Sequence, residues 1–204
     1  MRRLGTLATI IVTALVTALL TSAFWLAAFN RGPIARPKPQ PPAEPQRPEL
    51  VVGPGGLAVP VAGIRPAQLQ DTYTQSRAGG ARVHNAIDIM APRGTPVIAA
   101  AAGTVEKLYF SQGGGGISAY VRSPDRQWIY YYAHLDAYAP GLMAGQAVRP
   151  GNLIGTVGET GNVAPGNAHL HFAIWTVTDT LRFWDGTNVN PYPLLKSAPS
   201  VPMM

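Results

Sequence analysis

Beyond residue 50, glycine and proline interrupt the chain so often that no helix of ordinary length fits between them; the 204 residues include 22 glycines and 20 prolines. Proline removes a helical hydrogen bond and clashes with the preceding turn, and glycine loses more backbone entropy than any other residue, so both tend to end regular structure. What remains between the breaks is strand-sized. Apolar or alternating runs cover Ile87 to Met90, Pro96 to Phe110 with a break near Gly103, Ile117 to Arg122, Gln127 to His134, Asn152 to Val157 and His169 to Val177. The segments "APRGTP", "SQGGGG", "SPDR" and "RPGN" supply turns between them. This punctuation predicts an all-β domain.

The first fifty residues differ in composition. Leu4 to Phe29 are 26 consecutive residues without a charge, preceded by Arg2 and Arg3. At about 1.5 Å per residue, a helix of that length exceeds the roughly 30 Å hydrocarbon core of a bilayer. The run is also longer than the apolar part of an ordinary signal peptide. Residues 1–29 therefore read as a signal anchor, with the N-terminal arginines in the cytoplasm and everything after Phe29 outside. Removal of a signal peptide after Ala23, in "LTSA", is the alternative. Residues 30–50 hold seven prolines and no apolar period, which predicts an extended spacer. The folded domain is then residues 51–204. The formal net charge is +6, but +4 of it lies in residues 1–50. With no basic cluster interleaved with aromatics in the remainder, nucleic acid is excluded as a partner. The chain has no cysteine, so any metal must be held by histidine and carboxylate.

The four histidines are the informative residues. In "GNAHLHFAI", strand alternation puts His169, His171, Ala173 and Trp175 on one face and Leu170, Phe172 and Ile174 on the other, core-facing one. His169 and His171 are then about 7 Å apart, which suits one metal ligand and one neighbouring group better than two ligands. His84 and Asp88 would lie about 13 Å apart on a straight strand. A turn or bulge between Asn85 and Ile87 would bring them together, and asparagine tolerates that conformation. His134 lies near the end of "QWIYYYAHLD", on the strand face of Trp128, Tyr130 and Tyr132, with Asp136 beginning a loop. A catalytic zinc takes three protein ligands and leaves one position open. Four histidines and Asp88 offer that number with two imidazoles to spare for proton transfer. Each feature also has a plain structural reading, as a histidine packed in the fold or lying at a strand end. Gly113 to Gly116 lack the Lys-Ser/Thr and the helix of a phosphate loop and read as a flexible hairpin that borders a site.

Taken in order, "HNAIDIMAPRGTPVIAAAAGTV", "YYYAHL" and "TGNVAPGNAHLHF", within residues 71–176, resemble the lysostaphin-type zinc metallopeptidases, the LytM or β-lytic group of peptidoglycan hydrolases. The resemblance implies a compact antiparallel β-sheet domain with long loops around a zinc groove, here preceded by one transmembrane helix. It implies zinc held by His84, Asp88 and His171, with His134 and His169 as the catalytic pair. The implied reaction is amide hydrolysis in the stem peptides or cross-bridges of peptidoglycan, on the outer side of the cytoplasmic membrane. "VNPYPLL", residues 189–195, is similar to the segment that follows the domain in membrane-anchored relatives. Ala86 and Ala173 depart from the residues often found there in the family, and neither departure removes a ligand. Tyr73 is a candidate for an assisting tyrosine, and Arg82 for a contact with substrate or with a ligand carboxylate. The competing readings are a non-catalytic peptidoglycan-binding or amidase-activating module on the same fold, and a membrane-tethered scaffold. Spacing does not encode which amide is cut.

Overall fold

The computed structural model describes residues 2–29, 56–178 and 182–196, and the chain divides into two units, Met1–Gln46 and Arg47–Met204. In the first unit, helix α1 (Arg2–Phe29) forms over the uncharged run, which lacks proline and is rich in the good helix formers alanine and leucine. The Thr17 and Thr21 hydroxyls donate to the carbonyls of Thr13 and Thr17 at 2.8 and 2.9 Å, so their polarity is satisfied within the helix. The described side chains of α1 run from residue 12 to 26, and among the described residues no helix is long and apolar enough to cross a membrane. The proline-rich spacer expected over 30–50 lies outside the described residues.

The second unit is built from strands. β1 (Ser76–Arg77) and β2 (Arg82–Val83) pair as a small two-stranded sheet. A nine-stranded sheet follows: β3 (Ile87–Met90), β4 (Pro96–Ile98), β5 (Gly103–Ser111), β6 (Gly116–Arg122), β7 (Trp128–Tyr138), β8 (Ala147–Val148), β9 (Leu153–Val157), β10 (His169–Val177) and β11 (Gly186–Val189). A single-turn-scale helix, α2 (Pro191–Lys196), ends the described chain. The sheet order is β11-β10-β7-β6-β5-β8, with β3 on β10, β9 on β7 and β4 on β9, and each pairing is antiparallel.

Alternation along β10 follows the residues. Leu170, Phe172 and Ile174 are 0, 0 and 1% exposed, in a core shared with Ile87, Val105, Val121 and Leu135. Tyr132 stacks on Phe172 in that core, with ring centroids 5.2 Å apart. Its hydroxyl accepts the Ala100 N–H at 2.8 Å, which satisfies the one polar atom that burial would otherwise strand. The opposite face bears His171, Tyr131, Tyr120 and Trp175. The Tyr131 ring lies 6.1 Å from His171, 4.6 Å from Tyr120 and 5.8 Å from Trp175.

Four short strands and α2 extend the sequence-based expectation. β1, β2 and β8 have two residues each, too few to display a period, and β11 leaves Gly186, Thr187 and Asn188 exposed. Strand β7 continues through Asp136 where a loop was expected, and Arg93 Nε holds the Asp136 carboxylate at 2.7 Å.

Candidate active site

His84 and Asp88 meet because the chain turns between them. Asn85 adopts φ 58°, the left-handed conformation that asparagine tolerates, and this converts a straight-strand separation into contact. The turn is tied down from upstream: His84 N–H donates to Gln75 O and Asn85 N–H to Tyr73 O, both at 2.9 Å. Thr72 bridges the pair, its carbonyl accepting from His84 Nδ1 and its hydroxyl from the Asp88 N–H, again at 2.9 Å each. Asp88 and His171 are directly opposed in the β3–β10 register, which places their side chains on the same face of the sheet.

His134 reaches the site by a different irregularity. Simple alternation puts it on the face of Tyr132, but Tyr132 is in the core and His134 is in the site. The reason is φ 60° at His134, together with register shifts in the β7 pairings on both sides. Such a bulge re-aims the side chains beyond it. The glycine run stabilises the bulge: His134 N–H donates to Gly115 O at 2.7 Å, and Asn162 N–H to Gly114 O at 3.0 Å. The imidazole of His134 lies 5.0 Å from that of His169 and 5.5 Å from that of His171, between ring centroids.

The donor atoms of His84, Asp88 and His171 form a triangle. His84 Nε2 is 3.0 Å from both Asp88 Oδ1 and His171 Nδ1, and the third edge is 3.2 Å. A tetrahedral zinc with arms of about 2.0–2.1 Å separates its ligands by about 3.3–3.4 Å, so the triangle fits the ion with little adjustment. The chemistry of the set fits as well: two imidazoles and a carboxylate, with no thiolate required. His84 Nδ1 donates to Thr72 O, which leaves Nε2 as a lone-pair donor toward the triangle. Arg77 Nη2 takes the outer oxygen of Asp88, Oδ2, at 2.6 Å, and so leaves Oδ1 facing inward.

His134 and His169 obey the same rule as His84. Their Nδ1 atoms donate to Thr160 O at 2.8 Å and Asn167 O at 2.6 Å. In each, Nε2 is the nitrogen left to exchange a proton, and that of His169 lies 3.6 Å from Asp88 Oδ1. Burial alone would raise the Asp88 carboxyl, but with no metal bound and the imidazoles fully protonated, hydrogen bonds from His171 and His84 and the charges of His84 and His169 outweigh it. The group is held well below the usual carboxylate range. His134 is lowered from 6.5 to about 4, first by burial and then by repulsion from His171 and His169, against the Thr160 hydrogen bond and Asp88. Burial likewise lowers His171.

These groups open into a groove of about 510 Å³. Because β10 lies between β3 and β7, the β1–β2 hairpin with Arg77 and Arg82 borders one side and the glycine run with Gly114 and Gly115 the other. All five residues expected from the motifs come together here. Of the two further candidates, Arg82 lines the groove and Tyr73 does not; the tyrosine in the wall is Tyr131. Arg77, not Arg82, holds the Asp88 carboxylate. The sequence carries no signal for Arg77 beyond its position seven residues before His84.

The model of peptidase family M23 matches residues 82–191, more than half of the chain. The L-Ala–D-Glu endopeptidase of Bacillus subtilis is 34% identical over 63% of this chain and 39% of its own length. The peptidoglycan DD-endopeptidase ShyC of Vibrio cholerae is 35% identical over 47% of this chain and 21% of its own. The chain thus spans well under half the length of these curated relatives. The solved catalytic domain of the antimicrobial peptidase lysostaphin from Staphylococcus simulans aligns with a TM-score of 0.53 at 29% identity, covering 63% of this chain and 92% of that one. With its sheet, its ordered motifs and this match in agreement, the chain belongs to peptidase family M23.

Proposed function

We propose that the chain is a membrane-anchored, zinc-dependent endopeptidase that hydrolyses amide bonds in the stem peptides or cross-bridges of peptidoglycan. The observation that carries this reading is the inward-facing triangle of His84, Asp88 and His171 with two tautomer-set imidazoles beside it. Those three residues would hold the metal. Zinc supplies a Lewis-acid charge that polarises the scissile carbonyl and acidifies water. His134 and His169 handle the protons at Nε2, accepting from the attacking water and returning to the leaving amine. His134, lowered to about 4 chiefly by burial, is neutral at neutral pH in the metal-free chain. Tyr131 and the glycine backbone shape the groove around the peptide.

Peptidoglycan as substrate is supported by the names of the relatives, one an L-Ala–D-Glu endopeptidase and one a peptidoglycan DD-endopeptidase. Anchoring is supported by the helix over an uncharged run behind Arg2 and Arg3, which favours an N-terminus in the cytoplasm and a domain outside the cytoplasmic membrane. The proline-rich residues 30–50 would give the domain reach toward the wall. A non-catalytic, amidase-activating module on this fold needs no complete set of ligands and bases, and this chain has the complete set.

The test is to load the full chain, in detergent micelles, with zinc and incubate it with purified sacculi. Release of muropeptides with a newly cut amide, identified by mass spectrometry, is expected. Full zinc occupancy without release overturns the enzyme. Stimulation of a separate amidase instead would establish the activating module.

A further inference from the structure

We infer that Arg82 makes this groove selective for peptides that carry a free carboxylate beside the scissile amide; the inference rests on the endopeptidase reading and adds a determinant of substrate choice. In the β1–β2 pairing, Arg77 and Arg82 are directly opposite each other. Like charges so placed on an antiparallel pair repel, and something anionic is needed to relieve them. For Arg77 that group is present: Nη2 lies 2.6 Å from Asp88 Oδ2, and Nη1 donates to Gln75 Oε1 at 2.9 Å. For Arg82 no carboxylate partner is found among the described residues, and its side chain is exposed at the groove.

The rest of the lining sharpens the asymmetry. Asp88 is the one carboxylate among the described lining residues, and both its oxygens are engaged, one by Arg77 and one at the donor triangle. Across β10 the wall is built from Gly114, Gly115, Asn162, Val163, Ala164 and Asn167, all uncharged. A peptide in the groove therefore meets one cationic side and one neutral side. Guanidinium binds carboxylate through two parallel hydrogen bonds, which fixes orientation as well as affinity. Arg82 also covers no core surface, since both β2 residues are exposed, so packing does not account for its placement.

The experiment uses the zinc-loaded full chain and cross-linked muropeptides in two forms, with free carboxylates or amidated with carbodiimide and ammonium. Amidation is expected to lower kcat/KM of the unsubstituted chain by about tenfold or more, the scale of a charge-assisted contact. In Arg82→Gln this ratio collapses toward one, and Arg82→Lys falls between. Equilibrium dialysis of both muropeptide forms against the zinc-loaded His169→Ala chain, with and without Arg82→Gln, reads the same preference without turnover. If neither form is cleaved by the unsubstituted chain, the endopeptidase reading fails while the binding ratio still decides the role of Arg82. A ratio that is the same with arginine and with glutamine at position 82, or no ratio at all, overturns the inference.

Discussion

At His134 the backbone occupies a conformation that costs a non-glycine residue about 1–3 kcal/mol, and the strain aims one imidazole at the site. His169 and His171, two residues apart, are expected to separate cleanly by function. His171→Ala removes a corner of the donor triangle, so the purified variant should carry no zinc. His169→Ala keeps all three donors and its zinc, while turnover falls by about 10²- to 10⁴-fold, the range of general acid–base catalysis. Equal zinc loss in both, by atomic absorption, would refute the division. Arg77→Gln frees Asp88 to rotate and should weaken zinc about 10- to 100-fold in competition with a chelator, as loss of an orienting contact does; unchanged affinity would deny Arg77 that part. The lowered His134 sets a pH dependence in the metal-free chain. Between 6.5 and about 4 the unfolded chain binds the proton that the folded one refuses, so stability falls as pH falls through this window. The urea midpoint of a His134→Gln variant should fall less steeply over the same range, and parallel slopes would contradict the assignment. His84, Asp88, His134, His169 and His171 are legible in the sequence because their residue types are specific and their order is distinctive. The carbonyls of Thr72, Thr160 and Asn167 are not, since a carbonyl belongs to every residue.

Strands with a regular period are legible in the letters, and strands with an interruption are not. β10 shows its two faces in the letters, but the β3–β10 register that sets Asp88 opposite His171 is not contained in alternation, which says nothing of strand partners. In β7 the same rule fails at His134, because a bulge is an event of the backbone and its cause lies in the partner segment. That cause includes Gly116, at φ 62°, whose position leaves no room for a Cβ beside the backbone of Thr160 and Gly161. Gly116→Ala is therefore expected to cost about 2 kcal/mol or more, through both steric overlap and the left-handed backbone. It should also lower turnover, because the Gly115 carbonyl that anchors the His134 N–H shifts with it. A denaturant midpoint and activity equal to those of the parent would show that the glycine run is a passive connection. The turn at Asn85 was foreseeable for the opposite reason, as asparagine advertises the conformation it adopts.

Across the whole molecule, the described residues form a helix over the uncharged run and a β domain of nearly balanced charge, and the composition of each segment announces it. Cell fractionation tests the anchor: the full chain should remain in the membrane pellet through washes at high salt and alkaline pH and dissolve only in detergent. Recovery in the washes, or a mature chain that begins after Ala23, would make it a released protein. The small strands that complete the domain leave no trace in the letters because two residues cannot carry a period, yet β1 and β2 bring both arginines to the groove. The three carbonyl-held imidazoles have a consequence for how such a site tolerates change. Which nitrogen bears the proton is fixed by main-chain atoms at Thr72, Thr160 and Asn167, and no side-chain replacement deletes a main-chain atom. The protonation pattern is thus inherited with the path of the chain. A change of side chain at those positions leaves that pattern in place, whereas the Thr72 and Thr160 hydroxyls have separate duties, to the Asp88 N–H and to Ile117 and Leu135, that a replacement would remove.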